Sequence, residues 1–271
     1  NFKGRAIQNM LNIEPDDSVN AMLRLRGLND EEFVNSHYVV FATKNGTIKK
    51  TCLEAYSRPR TNGVNAINIV EGDEVVDVRL TNGKNEIILA NRNGRAVRFD
   101  ENTVRSMGRV STGVRGMQLD GDDDQVVGMI IVNNAETETV MVVSENGYGK
   151  RSQVEDYRKT NRGGKGVKTF SITDKTGRLV AIKNVTDDND LMIINKSGIA
   201  IRLAVSDCRV MGRATQGVRL INLSKKNDVI ASVCKVMSSE LEAKLADDNS
   251  ATEPEATEAT EAKETNPENE K

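Results

Sequence analysis

Tryptophan is absent from this chain of 271 residues and aromatic residues make up only 3% of it, so any core must rest on Val, Ile, Leu and Met. No apolar run approaches the ~20 residues a membrane span requires, and no secretory leader pattern stands near the N-terminus. The expectation is a soluble, cytoplasmic chain. Histidine occurs once, at His37, and the three cysteines, Cys52, Cys208 and Cys234, are odd in number and fit no metal or redox spacing. They read as scattered reduced thiols. Gly164-Lys165-Gly166 lacks the Ser or Thr that a P-loop places after its lysine. Asp120-Gly121-Asp122-Asp123-Asp124 lacks the alternating ligand spacing and closing Glu of a calcium loop, and reads as an acidic turn. With no convincing nucleophile–base pair either, a stand-alone enzyme is the weakest reading: no catalytic residue, metal site or cofactor of its own is expected.

The formal net charge of −2 conceals a division. From Ser239 onward there are 11 acidic and 3 basic residues, a balance of −8, while residues 1–238 hold a balance of +6. The Glu-, Ala- and Thr-rich segment 239–271 has too little apolar surface to offset its ordering entropy and reads as a disordered acidic tail. A basic body points to a polyanionic partner, with the tail a candidate competitor for it.

What the chain does contain is a repeat. Four hairpin turns, Asn45-Gly46, Asn93-Gly94, Asn146-Gly147 and Ser197-Gly198, stand 48, 53 and 51 residues apart. Turn pairs of this kind tolerate φ > 0, and the period suits a propeller-like array. Each turn follows a four-residue apolar run: Val39-Val40-Phe41-Ala42, Ile87-Ile88-Leu89-Ala90, Val140-Met141-Val142-Val143 and Leu191-Met192-Ile193-Ile194. Such runs predict buried strands. A Gly-Val step then opens an alternating strand in each unit, at Gly63–Ile67, Gly113–Met117, Gly166–Phe170 and Gly217–Ile221. A third strand is expected at residues 75–78, 125–129, 179–185 and 229–233. Lys3–Ile7 and Asp17–Met22 read as a fifth, broken copy. With Asn1 rather than Met in first place, this predicts a fragment that begins inside a repeat. The expected divisions are 1–37 (partial), 38–85, 86–138, 139–189, 190–238 and the tail 239–271.

Basic residues recur at matching places. One follows each turn glycine by four positions: Lys50, Arg98, Arg151 and Arg202, with Lys49 and Lys150 beside two of them. Between hairpin and Gly-Val step lies a loop rich in Arg, Lys and Gly. The loops carry Arg58 and Arg60; Arg105 and Arg109; Arg158, Arg162, Gly163, Gly164, Lys165 and Gly166; and Arg209 and Arg213. Arg115 and Arg219 sit two places beyond the step glycines. A single loop of this kind is commonly just a solvated surface. Four at equivalent positions of an array must lie along one side of the body, where they suit the phosphates of a long polyanion. All seventeen basic residues are therefore candidate contacts to such a polyanion.

The runs Thr43-Lys44-Asn45-Gly46-Thr47-Ile48-Lys49-Lys50-Thr51, Glu145-Asn146-Gly147-Tyr148-Gly149-Lys150-Arg151-Ser152 and Gly212-Arg213-Ala214-Thr215-Gln216-Gly217-Val218 resemble the C-terminal domain of bacterial DNA gyrase A, from Lys3 to about Met237. The resemblance implies an all-β fold, the β-pinwheel, whose four-stranded blades exchange strands with their neighbours; here it predicts about four complete blades and half of another. It implies non-sequence-specific wrapping of double-stranded DNA in support of ATP-dependent negative supercoiling. It also implies an A2B2 holoenzyme with gyrase B and the rest of gyrase A, ATP and magnesium bound elsewhere in that assembly, and a nucleoid-associated place in the bacterial cytoplasm. The family's box motif, Gln-Arg-Arg-Gly-Gly-Lys-Gly, is matched only in its last five residues by Arg162-Gly163-Gly164-Lys165-Gly166, after Thr160-Asn161. This reads as a degenerate copy, with the true box expected upstream of Asn1. The matching domain of the topoisomerase IV A protein, part of a decatenase, is the close alternative. A protein-binding propeller is the alternative from another class, and it would need an exposed apolar or aromatic patch.

Overall fold

A computed structural model describes residues 17–223 and 228–238, together with Asn9 and Ile13. The predicted tail lies outside the described residues. A short helix, α1 (Glu31–Ser36), is capped by Asp30, whose Oδ1 accepts from the Phe33 amide at 3.1 Å. The strands follow in chain order: β1 (Tyr38–Thr43), β2 (Thr47–Cys52), β3 (Val75–Thr81), β4 (Glu86–Asn91), β5 (Arg95–Asp100), β6 (Val114–Arg115), β7 (Val126–Val132) and β8 (Thr139–Ser144). After them come β9 (Tyr148–Gln153), β10 (Val167–Lys168), β11 (Leu179–Val185), β12 (Asn189–Asn195), β13 (Ala200–Ala204), β14 (Val218–Arg219) and β15 (Ile230–Met237). No helix among the described residues is long and apolar enough to cross a membrane.

These strands make four antiparallel sheets in a propeller-like array, in the orders β3-β1-β2-β6, β7-β4-β5-β10, β11-β8-β9-β14 and β15-β12-β13. The hairpins coincide with the predicted apolar runs, and the four turn glycines have φ between +80° and +87°. The runs are apolar on both parities because the sheets stack face to face, the second and third being covered on both sides. Ile87 and Leu89 enter the core shared with the first sheet, whereas Ile88 and Ala90 enter the core shared with the third. Val140 and Val142 face back to the second sheet, and Met141 and Val143 face forward to the fourth. The cores thus lie between sheets, and each fully buried side chain such as Phe99 or Ile88 contributes about 1.5–3 kcal/mol. The third strands β3, β7, β11 and β15 contact one another in sequence and form the inner edge of the array.

The Gly-Val steps after the first make the strand exchange that the resemblance implies. Each leaves its own unit and adds a fourth strand to the hairpin before it: β6 to β2, β10 to β5 and β14 to β9. Only two residues of each step pair as strand. The chain then lays its backbone over the neighbour's turn glycine: the Gly94 carbonyl accepts from the Thr169 and Phe170 amides at 2.8 and 3.2 Å. Gly46 receives Gly116 and Met117, and Gly147 receives Leu220 and Ile221, in the same way. Residues 63–67 form no strand, nor do residues 17–22, because among the described residues no hairpin stands beside either segment to receive it. Leu23, Leu25, Leu28 and Phe33 instead cover the outer face of the first sheet around Val39, Phe41 and Leu53. All three cysteines are free, with Cys234 exposed and Cys208 buried.

Candidate nucleic-acid interface

The seventeen predicted basic residues separate into two groups by position in the sheets. Those on the second hairpin strand point between blades. Lys49, Lys50, Lys150 and Arg151 are buried, the first of them with no exposed surface. Each has at least one partner on the following unit. Lys50 Nζ lies 2.8 Å from Glu101 Oε2, and Glu101 is itself fully buried. Arg151 Nη1 donates to the Val205 and Cys208 carbonyls at 3.0 and 3.2 Å, and to Asp187 Oδ1 at 2.8 Å. Arg98, half-buried, repeats this on the Val154 and Tyr157 carbonyls at 2.9 and 3.1 Å and on Glu86 at 2.5 Å. In all three cases the cation holds the single helical turn that ends the next hairpin. Arg202 occupies the same register in the fourth unit, is exposed, and bonds Asp190 and the Met237 carbonyl.

Lys49 and Lys150 make a second row of such clasps. Lys49 Nζ donates to the Ala66 and Arg109 carbonyls, both at 2.5 Å. Lys150 Nζ donates to the Gly212 carbonyl and Ser152 Oγ, each at 3.0 Å, and to the Arg213 carbonyl. Burial, with Arg109 beside it, pushes the Lys49 ammonium down to about 8; burial and Arg213 do the same to Lys150, against the opposing charge of Asp156. Lys49, Lys50, Lys150 and Arg151, expected among the DNA-contacting residues, are thus found buried between units rather than on an exposed face. Lys49 and Lys150 each direct their ammonium to three partners, the number of donors it has, and Arg98 and Arg151 are engaged through Nε and Nη1.

The second group lies on the opposite edge. Because β6, β10 and β14 are the strands farthest from the inner edge, they and the loops before them form the outer margin of the array. Arg105, Arg158 and Arg209 share one register there and are exposed. Arg115, Lys168 and Arg219 share another, also exposed. Lys168 escaped the sequence reading, although its position two places after a step glycine is the same signal that marked Arg115 and Arg219. Arg58 and Arg60 are exposed in the first loop. Arg219 is fixed by Tyr148, whose hydroxyl accepts from its Nε and Nη2 at 3.1 and 2.9 Å.

A third register is divided. Arg162 donates to the Thr103 and Arg115 carbonyls of the preceding unit at 2.8 and 2.9 Å. Arg213 repeats this on the Asp156 carbonyl at 2.9 Å and on the Lys168 carbonyl. Arg109, their equivalent, has a buried Nε with no hydrogen-bond partner among the described residues. The loop of the preceding unit, Arg58 to Gly63, is three residues shorter than Arg105 to Gly113. The Arg162–Gly166 segment lines a groove of about 530 Å³ with Arg98 and Arg158. Gly163 and Gly166 there have φ of +81° and +71°, open to glycine alone without strain. Lys165 is 3.3 Å from Asp120, an exposed pair of little strength.

The sequence matches the family described as DNA gyrase C-terminal domain, β-propeller, over residues 37–82, 85–133, 138–186 and 189–234. It is 42% identical to the DNA gyrase A protein of Staphylococcus aureus strain MRSA252 over 86% of this chain and 26% of that protein. The chain thus spans about a quarter of the length of the curated relatives it matches. Among solved structures, the C-terminal domain of DNA topoisomerase IV superposes with a TM-score of 0.78 at 27% identity, covering 90% of this chain and 75% of that one. The DNA gyrase A C-terminal domain superposes with a TM-score of 0.76 at 24% identity, covering 87% and 76%. The matched segments begin and end with the four sheets, each holding one hairpin and its inner strand, and on that correspondence the chain belongs to the DNA gyrase C-terminal domain family.

Proposed function

We propose that this chain binds double-stranded DNA along its outer margin and bends the duplex around it, without reading sequence. The observation that supports this best is the repetition of exposed cations in one register across consecutive units: Arg105, Arg158 and Arg209, with Arg115, Lys168 and Arg219 beside them. Phosphate contacts position a duplex without specifying bases. Bending a short site by 40–90° costs on the order of 1–6 kcal/mol, which contacts spread along the margin would offset. The inner hairpin cations take no part. In this reading the chain works as the wrapping element of a type IIA topoisomerase, with gyrase B and the remainder of gyrase A as partners. ATP, magnesium and the cleavage chemistry belong to those other parts, and wrapping there supports negative supercoiling.

The test is the salt dependence of binding to long duplex DNA. The slope of log K against log salt should flatten by about 0.9 for each phosphate interaction removed. Arg105→Ala, Arg158→Ala and Arg209→Ala combined should flatten it by about 2.7, with no change in sequence preference. An unchanged slope would remove these residues from the interface. Wrapping is read separately, by the writhe trapped in relaxed circular DNA after closure by a nicking-closing enzyme. The fit to the topoisomerase IV domain favours one second reading, a wrapping element in a decatenating enzyme. Comparing decatenation with supercoiling by the whole enzyme would separate the two.

A further inference from the structure

The exchanged strands each bring a cation to the outer margin, and each cation meets a different residue across the strand pair. Arg115 stands opposite Thr47, Lys168 opposite Arg95 and Arg219 opposite Tyr148. Arg95 directs its own Nε and Nη2 to the Lys165 and Gly166 carbonyls, at 3.3 and 3.1 Å. The third pair is built on an aromatic ring. Tyr148 Oη accepts from both Nε and Nη2 of Arg219, and the guanidinium carbon lies 5.5 Å from the centre of the Tyr148 ring. Tyr148 is buried, so the exposed Arg219 rests on a fixed support.

A second cation reaches the same ring from another segment. Lys175 belongs to the turn between β10 and β11, is exposed, and places its Nζ 5.4 Å from the ring centre. Asn146 Nδ2 donates to the Asp174 and Lys175 carbonyls, both at 3.3 Å, which ties that turn to the third hairpin turn. Tyr148, Lys175 and Arg219 line one cavity of about 280 Å³, with Asn146, Asn222 and Asp228 also at its wall. The Asp228 carboxylate is already engaged: Oδ2 accepts from Ser197 Oγ at 2.6 Å and Oδ1 from the Val229 amide at 2.9 Å. Lys175 Nζ and Arg219 Nη1, by contrast, have no hydrogen-bond partner among the described residues.

We propose that Lys175, Tyr148 and Arg219 form a seat for one phosphodiester group of the DNA backbone, a contact that rests on the outer-margin reading and adds to it a lysine from outside the Gly-Val loops. The phosphate accepts charge-assisted hydrogen bonds from Lys175 Nζ and Arg219 Nη1. Tyr148 is a positioning residue: its hydroxyl holds the guanidinium by two bonds before DNA arrives. An arginine held in advance loses less side-chain freedom on binding than a free one.

In the full chain on long duplex DNA, Lys175→Met should flatten the slope of log K against log salt by about 0.9, the loss of one phosphate contact. Lys84→Met, at an exposed lysine of the β3–β4 loop, should leave the slope unchanged. Tyr148→Phe keeps both charges, so it should leave the slope unchanged and weaken binding about two- to tenfold. In an Arg219→Met background that weakening should disappear, whereas a merely structural defect would persist there. A slope left unchanged by Lys175→Met, or flattened as much by Lys84→Met, would overturn the seat, while flattening by the combined Arg105, Arg158 and Arg209 variant would show the outer margin still binding DNA. If neither Lys175→Met nor that combined variant flattens it, the outer-margin reading fails and the seat with it. An equal loss from Tyr148→Phe in both backgrounds would overturn the positioning role.

Discussion

Lysine and arginine have two incompatible employments in this chain, and the distinction is measurable residue by residue. Lys50→Ala would leave the Glu101 carboxylate buried without its cation, a defect of about 3–5 kcal/mol. Arg158→Ala removes an exposed side chain and should stay within about 0.5 kcal/mol in stability while flattening the salt slope of DNA binding. Denaturant unfolding and DNA titration of the two variants should therefore give opposite patterns. Arg109 and Arg162 offer the same contrast within one register. Arg109→Gln should weaken DNA binding with little loss of stability, whereas Arg162→Gln releases two carbonyl bonds and should lower stability by about 1.5–3 kcal/mol. The buried lysines add a pH signature. Lys49 binds its proton less tightly in the folded chain, at about 8, than at the ordinary lysine value of 10.5. Unfolding therefore takes up a proton between those values, and the Lys49 contribution to stability rises with pH across that window. The difference in melting temperature between wild type and Lys49→Met, followed from about pH 7 to 10.5, should shift in favour of wild type as pH rises.

At the scale of the strand, exchange between units sets the demands on the turn. A Cβ at Gly94 would meet the Phe170 carbonyl oxygen at 2.7 Å, and one at Gly46 the Met117 carbonyl oxygen at 2.6 Å. Gly198 has the same positive φ but nothing within 4 Å. Gly198→Ala should therefore cost only the backbone strain of about 1–3 kcal/mol. Gly94→Ala adds a backbone clash to that strain and should destabilise distinctly more in a denaturant titration. The hairpins were legible from sequence because their signals are local: an apolar run, then a pair of residues tolerant of φ > 0. The destination of the Gly-Val step was not legible locally; only the family resemblance implied an exchange between neighbouring units. Val114-Arg115 pairs with Thr47-Ile48, more than sixty residues earlier, and nothing in the local alternation distinguishes a strand kept by its own unit from one given to the unit before.

For the molecule as a whole, the repeat produces two margins of different character. The outer margin carries exposed cations in register, and the inner edge carries the contacts between successive third strands. The fourth hairpin shows what the exchanged strand contributes: β13 has no outer partner among the described residues, and Ile199 and Ile201 are 40% and 37% exposed. Their counterparts in the first unit, Thr47 and Lys49, lie beneath or beside the chain of the next unit, and Lys49 is fully buried. A unit is therefore completed only by its successor, as expected of arrays in which neighbouring repeats bury a shared core. Hydrogen exchange should be slowest in β4, β8 and their partners, which lie between two covered faces, and fastest in β13.

Periodic apolar runs and turn chemistry are properties of short segments, so the number of units, the four hairpins and the all-β class were all readable along the chain. The recurrent registers of the basic residues were readable in the same way. Which of those residues are buried and which exposed was settled by packing between units. Burial depends on which distant segment covers a side chain, so Lys49 and Arg158, alike in sequence as basic residues of a repeat, end as a sealed clasp and an exposed cation. The recurrence that first suggested a continuous track is partly the mortar between blades and partly the margin itself.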